Sequence, residues 1–270
     1  MTVCVAAYSQ SKKAFVCAVD EMISATDISA DSLAIKFSGI GSNWVCMFSA
    51  ADLSPVRPII ASVRQAMNPA HVQETVTEVI AAFKAAFEAE KRKKIEATVL
   101  PPGITLEEFY RVGLRQFGPD IFARTYNLIE TVEVEVSFLV CGFSEGRPCL
   151  FTFSDPGIEK NYDLVGFWAI GSGTNSAIGS LFNLKGVALQ HRAIEEIVYR
   201  VCEAKFYAES ALGVGKATSA FMLESSGERY MLEAVPPIRT IWENNSSRPL
   251  PAGAVEAVRQ SLKRPSTQGS

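Results

Sequence analysis

The chain has 270 residues, 48% of them hydrophobic and 20% charged, and a formal net charge of −3. A chain of this length buries a sizeable core without disulfide or metal staples, and its weak negative charge gives no footprint for nucleic acid or an anionic membrane surface. No apolar run reaches the ~20 residues of a membrane span, and the N-terminus lacks a basic region and a clean apolar region, with Asp20 and Glu21 closing its apolar stretch, so no signal peptide, membrane or nucleic-acid partner is expected and the compartment is read as cytoplasmic.

Taken in chain order, "TVCVAAY" (2–8) and "AFVCAVD" (14–20) predict two β-strands joined by the polar turn "SQSKK". The stretch 33–38 and "NWVCMFSA" (43–50) predict a second pair around "SGIGS", and the four strands are expected in one antiparallel sheet. "SPVRPIIASVRQAM" predicts a helix with Ser54 as cap and Pro55 and Pro58 in its first turn. Residues 71–97 carry Val72, Val76, Val79, Ile80, Phe83 and Phe87 at helical spacing, and the basic run "EKRKK" suits the C-terminal end of that helix. "TLEEFYRVGLRQFG" (105–118) predicts a shorter helix capped by its threonine.

Strands resume with "TVEVEVSFLVCGF" (131–143), "PCLFTFS" (148–154) and "DLVGFWAIGSG" (163–173). Helices are predicted over 174–184 and 187–209, and a closing hairpin over "ATSAFMLES" and "RYMLEAV". Residues 244–270 are polar and Pro/Ser-rich, which predicts a loosely held tail with one short helix near 252–263. The order sheet, helices, sheet, helices, hairpin predicts an α+β fold: a four-layer αββα sandwich of two stacked antiparallel sheets between helix layers. It is expected as a single domain over 1–243, with a longer helical region at 71–130. The six cysteines sit in apolar runs without a C-x-x-C pair, and only His71 and His191 are present. They predict buried free thiols, and no metal or cofactor is expected.

Several segments resemble the proteasome subunit family, its β-type members above all, within the N-terminal nucleophile hydrolases. "MTVCVAAYSQSKKAFVCAVDEMISAT" resembles the family's opening, a threonine leading a strand, a hairpin and an aspartate at the second strand's end. "WVCMFSAADLSPV", "VEVSFLVCGFSEGRPCLFTFSDPGIEKNYDLVGFWAIGSGTNSAIGSLF" and "ATSAFMLESSGERYML" are similar to later family segments. The resemblance covers roughly 1–70 and 130–233. It implies a threonine-type peptidase or amidase acting on a peptide or amide substrate. It also implies a homo-oligomer, of ring type in the family, and leaves an ATPase or other regulatory partner open.

The resemblance places catalytic roles on Thr2, Asp20 and Ser172. Independently of it, a small residue after the start methionine favours removal of Met1, which gives Thr2 a free α-amine with a pKa near ~7.7–8. One residue then supplies nucleophile and base. The chain departs from the family in three places. The position of the catalytic lysine falls on Leu33 or Ala34, with Lys36 nearby as a weak substitute expected on the opposite strand face. The position of the oxyanion glycine falls on Phe48 or Ser49. The family's acidic Ser-Gly-Gly turn falls on "ESALGVG" (209–215). These departures imply an atypical, impaired active site. The alternative is a catalytically silent proteasome-like subunit acting in self-assembly or partner binding.

Overall fold

The computed structural model describes residues 2–25, 28–30, 35–67, 74–184, 186–244 and 253–262. Twelve strands and eight α-helices follow one another within them. The strands β1 (Val3–Ser9), β2 (Ala14–Asp20), β3 (Ile23–Ala25), β4 (Ile28–Ala30), β5 (Phe37–Gly39) and β6 (Trp44–Ala50) come first. Four helices follow, α1 (Val56–Met67), α2 (Val76–Thr98), α3 (Leu106–Phe117) and α4 (Pro119–Thr131). Next come β7 (Val136–Ser144), β8 (Arg147–Ser154), β9 (Ile158–Asn161) and β10 (Phe167–Gly171), then α5 (Thr174–Phe182) and α6 (Ile194–Ala208). The described chain closes with β11 (Thr218–Glu224), β12 (Arg229–Met231), α7 (Val235–Asn244) and α8 (Ala254–Leu262).

Two antiparallel five-stranded sheets result, ordered β10-β1-β2-β11-β12 and β5-β6-β7-β8-β9, with β3 and β4 a separate hairpin. The first four predicted strands therefore do not share a sheet. β1 and β2 belong to one sheet and β5 and β6 to the other. The reason lies in the alternation. Cys4, Ala6, Phe15, Cys17 and Val19 face Val45, Met47, Leu139, Cys141 and Leu150 in one apolar cluster between the sheets. Val3, Val5, Ala7, Val16 and Ala18 point the other way, onto a cluster containing Ile197, Val198 and Val201 of α6. Strands buried on both faces read as continuous apolar runs, as these do. On the far side, Trp44, Phe138, Val140, Phe151 and Phe153 pack with Val56, Ile59 and Val63 of α1 and Val79, Phe83 and Phe87 of α2. The α+β class is thus observed, with helices on the outer faces of two antiparallel sheets.

The capping signals behave as their chemistry requires. Thr75 opens α2 and Thr105 opens α3, each with a glutamate three residues on that completes a capping box. Helix α2 begins at Val76; the expected residues 71–73, Val72 included, lie outside the described residues. Within the helical region expected over 71–130, α4 has no separate expectation; Pro119 occupies its first turn, directly after the Gly118 that ends α3. Helices α3 and α4 with the end of α2 bury a small cluster of their own, Ile95, Leu100, Phe109 and Ile129. The predicted helix over 187–209 is a 3₁₀ turn at Leu189–His191 followed by α6.

The short helix expected near 252–263 is α8, while α7 just before the tail was not expected. Residues 235–244 form α7, and α8 docks with Ala254 and Val258 wholly buried in the α6 cluster. Apolar residues four apart suffice to seat a short helix on an existing groove. All six cysteines are free and buried. Among the described residues no helix is long and apolar enough to cross a membrane.

Candidate active site

The first strand delivers Thr2 to the inner end of the β1–β2 pair. Thr2 is only 3% exposed and Asp20, the last residue of β2, is fully buried. The register pairs Cys4 with Val19, so the chain immediately before β1 meets the end of β2. There the carboxylate of Asp20 acts as an organiser. Its Oδ1 accepts the Val3 N–H at 2.8 Å, and its Oδ2 accepts the Met22 N–H at 3.2 Å and the Gly215 N–H at 3.4 Å.

Lys36 completes the cluster. Its Nζ lies 2.9 Å from Asp20 Oδ2 and 2.5 Å from Thr2 Oγ1, and the residue is 3% exposed. This corrects the expectation that Lys36 faces away. Strand β5 starts only at Phe37, so Lys36 precedes the regular alternation and parity counted from Leu33 does not govern it. Leu33 and Ala34 lie outside the described residues. The Lys36 carbonyl accepts the Phe48 N–H at 3.1 Å, which fixes the backbone from which the lysine reaches inward.

Ser172 lies where strand β10 turns into α5. Its hydroxyl is 3.4 Å from the Thr2 carbonyl and 3.4 Å from that of Leu212. It therefore touches the backbone of Thr2. The two flanking glycines are required by space. A Cβ on Gly171 would stand 2.0 Å from the Thr2 carbonyl oxygen, at a backbone φ of +97°, and one on Gly173 would stand 2.6 Å from the Ala208 Cβ. The glycines thus let the chain pass close to Thr2, which "GSG" could signal but not locate.

The positions that stand for the oxyanion glycine behave differently from a donor pair. The Phe48 N–H is spent on the Lys36 carbonyl. The Ser49 hydroxyl lies on the Thr2 side, 3.1 Å from where a Gly171 Cβ would sit. Cys4 donates its thiol to the Phe48 carbonyl at 3.3 Å, and burial, reinforced by the Asp20 charge, pushes that thiol far above its ordinary pKa. A thiol held protonated is a poor nucleophile.

A cavity of about 400 Å³ opens beside the cluster, between β5, β6 and α1. Ile35 and Phe37, the two chain neighbours of Lys36, line it together with Phe48 and Ile60, and Arg57 and Arg64 stand on its α1 wall. Arg64 is oriented by bonds to the Gly39 carbonyl at 2.7 Å and the Ser38 hydroxyl at 2.6 Å. Ile35 is 69% exposed and Leu212 82% exposed, so the buried cluster is bordered by apolar side chains that face water.

Sequence reasoning named Thr2, Asp20, Ser172 and Lys36, and the fold brings all four to one place. It reached Gly215 only as the end of "ESALGVG" (209–215), and it missed Lys205 behind it and the arginines of α1. A lysine inside the apolar run "LAIKF" was the available signal for Lys36, because an uncompensated ammonium does not stay buried without a partner. No model of a known protein family matches the chain, and no curated protein matches it.

Proposed function

We propose that the chain is a threonine-type hydrolase of the N-terminal nucleophile kind, similar to proteasome β-type subunits, that cleaves a peptide or amide bond. The observation that carries this reading is the contact of Lys36 Nζ with both Thr2 Oγ1 and Asp20 Oδ2. A buried ion pair is an expensive device for stability, often no better than apolar residues of equal volume. Its cost is accounted for if the ammonium lowers the proton affinity of the adjacent hydroxyl.

In the proposed reaction Met1 is removed and Thr2 carries the free α-amine. Thr2 Oγ attacks the substrate carbonyl carbon, and its proton passes to the α-amine. Collapse of the tetrahedral adduct breaks the C–N bond, and the leaving amine takes that proton. The ester left on Thr2 is then hydrolysed by water, with the same amine as base. Lys36 opposes charge on Thr2 Oγ throughout, and Asp20 holds Lys36 and the Val3 N–H in place. The cavity beside Lys36 suits a substrate side chain with an apolar stem, and its two guanidinium groups favour one that ends in a carboxylate.

The silent-subunit alternative draws on other features. The Phe48 N–H is occupied, and α3 and α4 expose Tyr110, Leu114, Ile121 and Leu128, a surface suited to a partner. The deciding experiment combines intact mass with a hydroxyl-reactive electrophile such as an epoxyketone. Loss of Met1 and a single adduct on Thr2 that disappears in Thr2→Ala support the hydrolase. Retained Met1, or a Met1-free chain with neither adduct nor amide hydrolysis, leaves the silent subunit.

A further inference from the structure

A second buried cation lies behind Asp20. Lys205 of α6 is fully buried, and its Nζ donates to Glu209 Oε1 at 2.7 Å, to the Gly215 carbonyl at 2.6 Å and to the Lys216 carbonyl at 3.1 Å. The same Gly215 residue presents its N–H to Asp20 Oδ2. The sheet explains the meeting, since β11 starts at Thr218 directly opposite Asp20 and the preceding loop must cross the end of β2.

Glu209 does not need this lysine, because Arg239 already engages both of its carboxylate oxygens, at 2.9 Å and 2.5 Å. Arg239 also reaches the Lys216 carbonyl and Thr218, but no bond from it to Gly215 is formed among the described residues. The contact peculiar to Lys205 is therefore the Gly215 carbonyl. Burial pulls the Lys205 ammonium below the ordinary lysine pKa, while Glu209 and Asp20 pull it back up and Arg239 pushes it down. Cys202, on the same helix, also feels its charge.

We propose that Lys205 is a positioning residue for Asp20: by fixing the Gly215 loop it holds a donor on Oδ2 and keeps the carboxylate aimed at Lys36 and the Val3 N–H. Residue 215 lies between a cation on its carbonyl and a carboxylate on its N–H, so the cation's influence reaches Asp20 through hydrogen bonds as well as through space. The effect on rate rests on the hydrolase reading. The effect on Asp20 does not.

The test compares Lys205→Met, which keeps an unbranched side chain and loses the charge, with Arg239→Gln, which disturbs the same Glu209 and Lys216 partners without touching Gly215. In the full chain, NMR follows hydrogen exchange of the Gly215 and Val3 amides, two backbone donors to the Asp20 carboxylate. Lys205→Met is expected to speed exchange of both amides about tenfold. Arg239→Gln leaves both unchanged. No movement in Lys205→Met, or equal movement in the two variants, overturns the proposal.

If Lys205→Met does not fold, the unmodified chain decides. Raising the pH should move the Gly215 amide nitrogen with the midpoint of the Lys205 side-chain signal, and a Gly215 trace with no inflection there overturns it. Amide hydrolysis is read alongside, with an expected loss of about tenfold. A chain that hydrolyses nothing removes the hydrolase reading and leaves the Val3 and Gly215 exchange readouts to decide the role of Lys205.

Discussion

Replacing Lys36 by methionine separates the stabilising from the chemical part of the Thr2 cluster. The substitution removes an ammonium that is 3% exposed and bonded to Thr2 Oγ1 and Asp20 Oδ2, and it leaves an unbranched side chain in the same channel. Removing one partner of a buried pair costs about 3–5 kcal/mol when the other charge is left uncompensated. Asp20 keeps the N–H donors of Val3, Met22 and Gly215, and each bond to a charged group offsets part of that penalty. The expected loss is therefore about 2 kcal/mol, read as a shift in urea midpoint at constant slope. Hydrolysis should fall much further, by about 10²–10⁴-fold, since the group that opposes charge on the nucleophile is gone. The two effects distinguish a working site from a structural pair. A variant that loses stability but turns over a fluorogenic amide at the unmodified rate refutes the argument for Lys36, and a variant as stable as the parent refutes the argument from the buried pair.

Gly171→Ala should be strongly destabilising, by about 2–4 kcal/mol in chemical denaturation, because the backbone is left-handed and the new Cβ would overlap the Thr2 carbonyl. Gly179, whose added Cβ meets nothing, is the control, and Gly179→Ala should match or exceed the parent's stability. Arg57→Glu places a negative charge on the cavity wall. It should reduce turnover of substrates with an acidic side chain about tenfold while sparing apolar ones, and equal loss for both denies the cavity its role. Glu74 links the loop at Ser42 and Asn43 to the start of α2. Burial raises its pKa, but its bonds from Ser42 and Asn43 outweigh that and hold it below the ordinary value. A lowered carboxyl contributes stability that is present above the unfolded value of about 4.3 and lost as pH falls through the folded one. Glu74→Gln should therefore lower stability at pH 7, where that contribution is present, and flatten the acid side of the profile so that variant and parent converge at low pH, as thermal melts across pH will show.

The sheets were legible because their strands are buried on both faces and so spell long apolar runs. Their pairing was not, since adjacency in sequence suggested one sheet where the alternation of Cys4, Ala6 and Cys17 against Val5, Val16 and Ala18 needs a second sheet to cover the inner set. Helix α4 was hidden by a glycine-proline pair that ends one helix and begins the next. At the site, Thr2, Asp20 and Ser172 could be named from the resemblance, and each stands at or beside a strand end. Lys36 could be named but not oriented. Parity arguments hold within a regular strand, and Lys36 stands one residue before one. Lys205 was invisible for a different reason. It sits in a helix with Glu209 four residues on, the signature of an exposed ion pair, and nothing local reveals that the helix buries this face against the end of β2.

The same geometry explains why Asp20, not Lys36, is the residue on which the cluster depends. Lys36 touches two partners, whereas Asp20 gathers four donors from four separate stretches of chain: Val3 at the start of β1, Met22 and Lys36 on either side of β3 and β4, and Gly215 before β11. None of those donors can be replaced by water, because the carboxylate is fully buried. Asp20→Asn keeps the shape but turns one acceptor oxygen into a donor, which then faces an N–H or an ammonium whichever way the amide is turned. The damage should accordingly exceed that of Lys36→Met in stability as well as in hydrolysis. It should also free the Val3 N–H to exchange, a local signal that loss of the lysine alone would not produce. If Asp20→Asn instead proves milder than Lys36→Met on both counts, the carboxylate is a bystander to the lysine and the order of dependence is reversed.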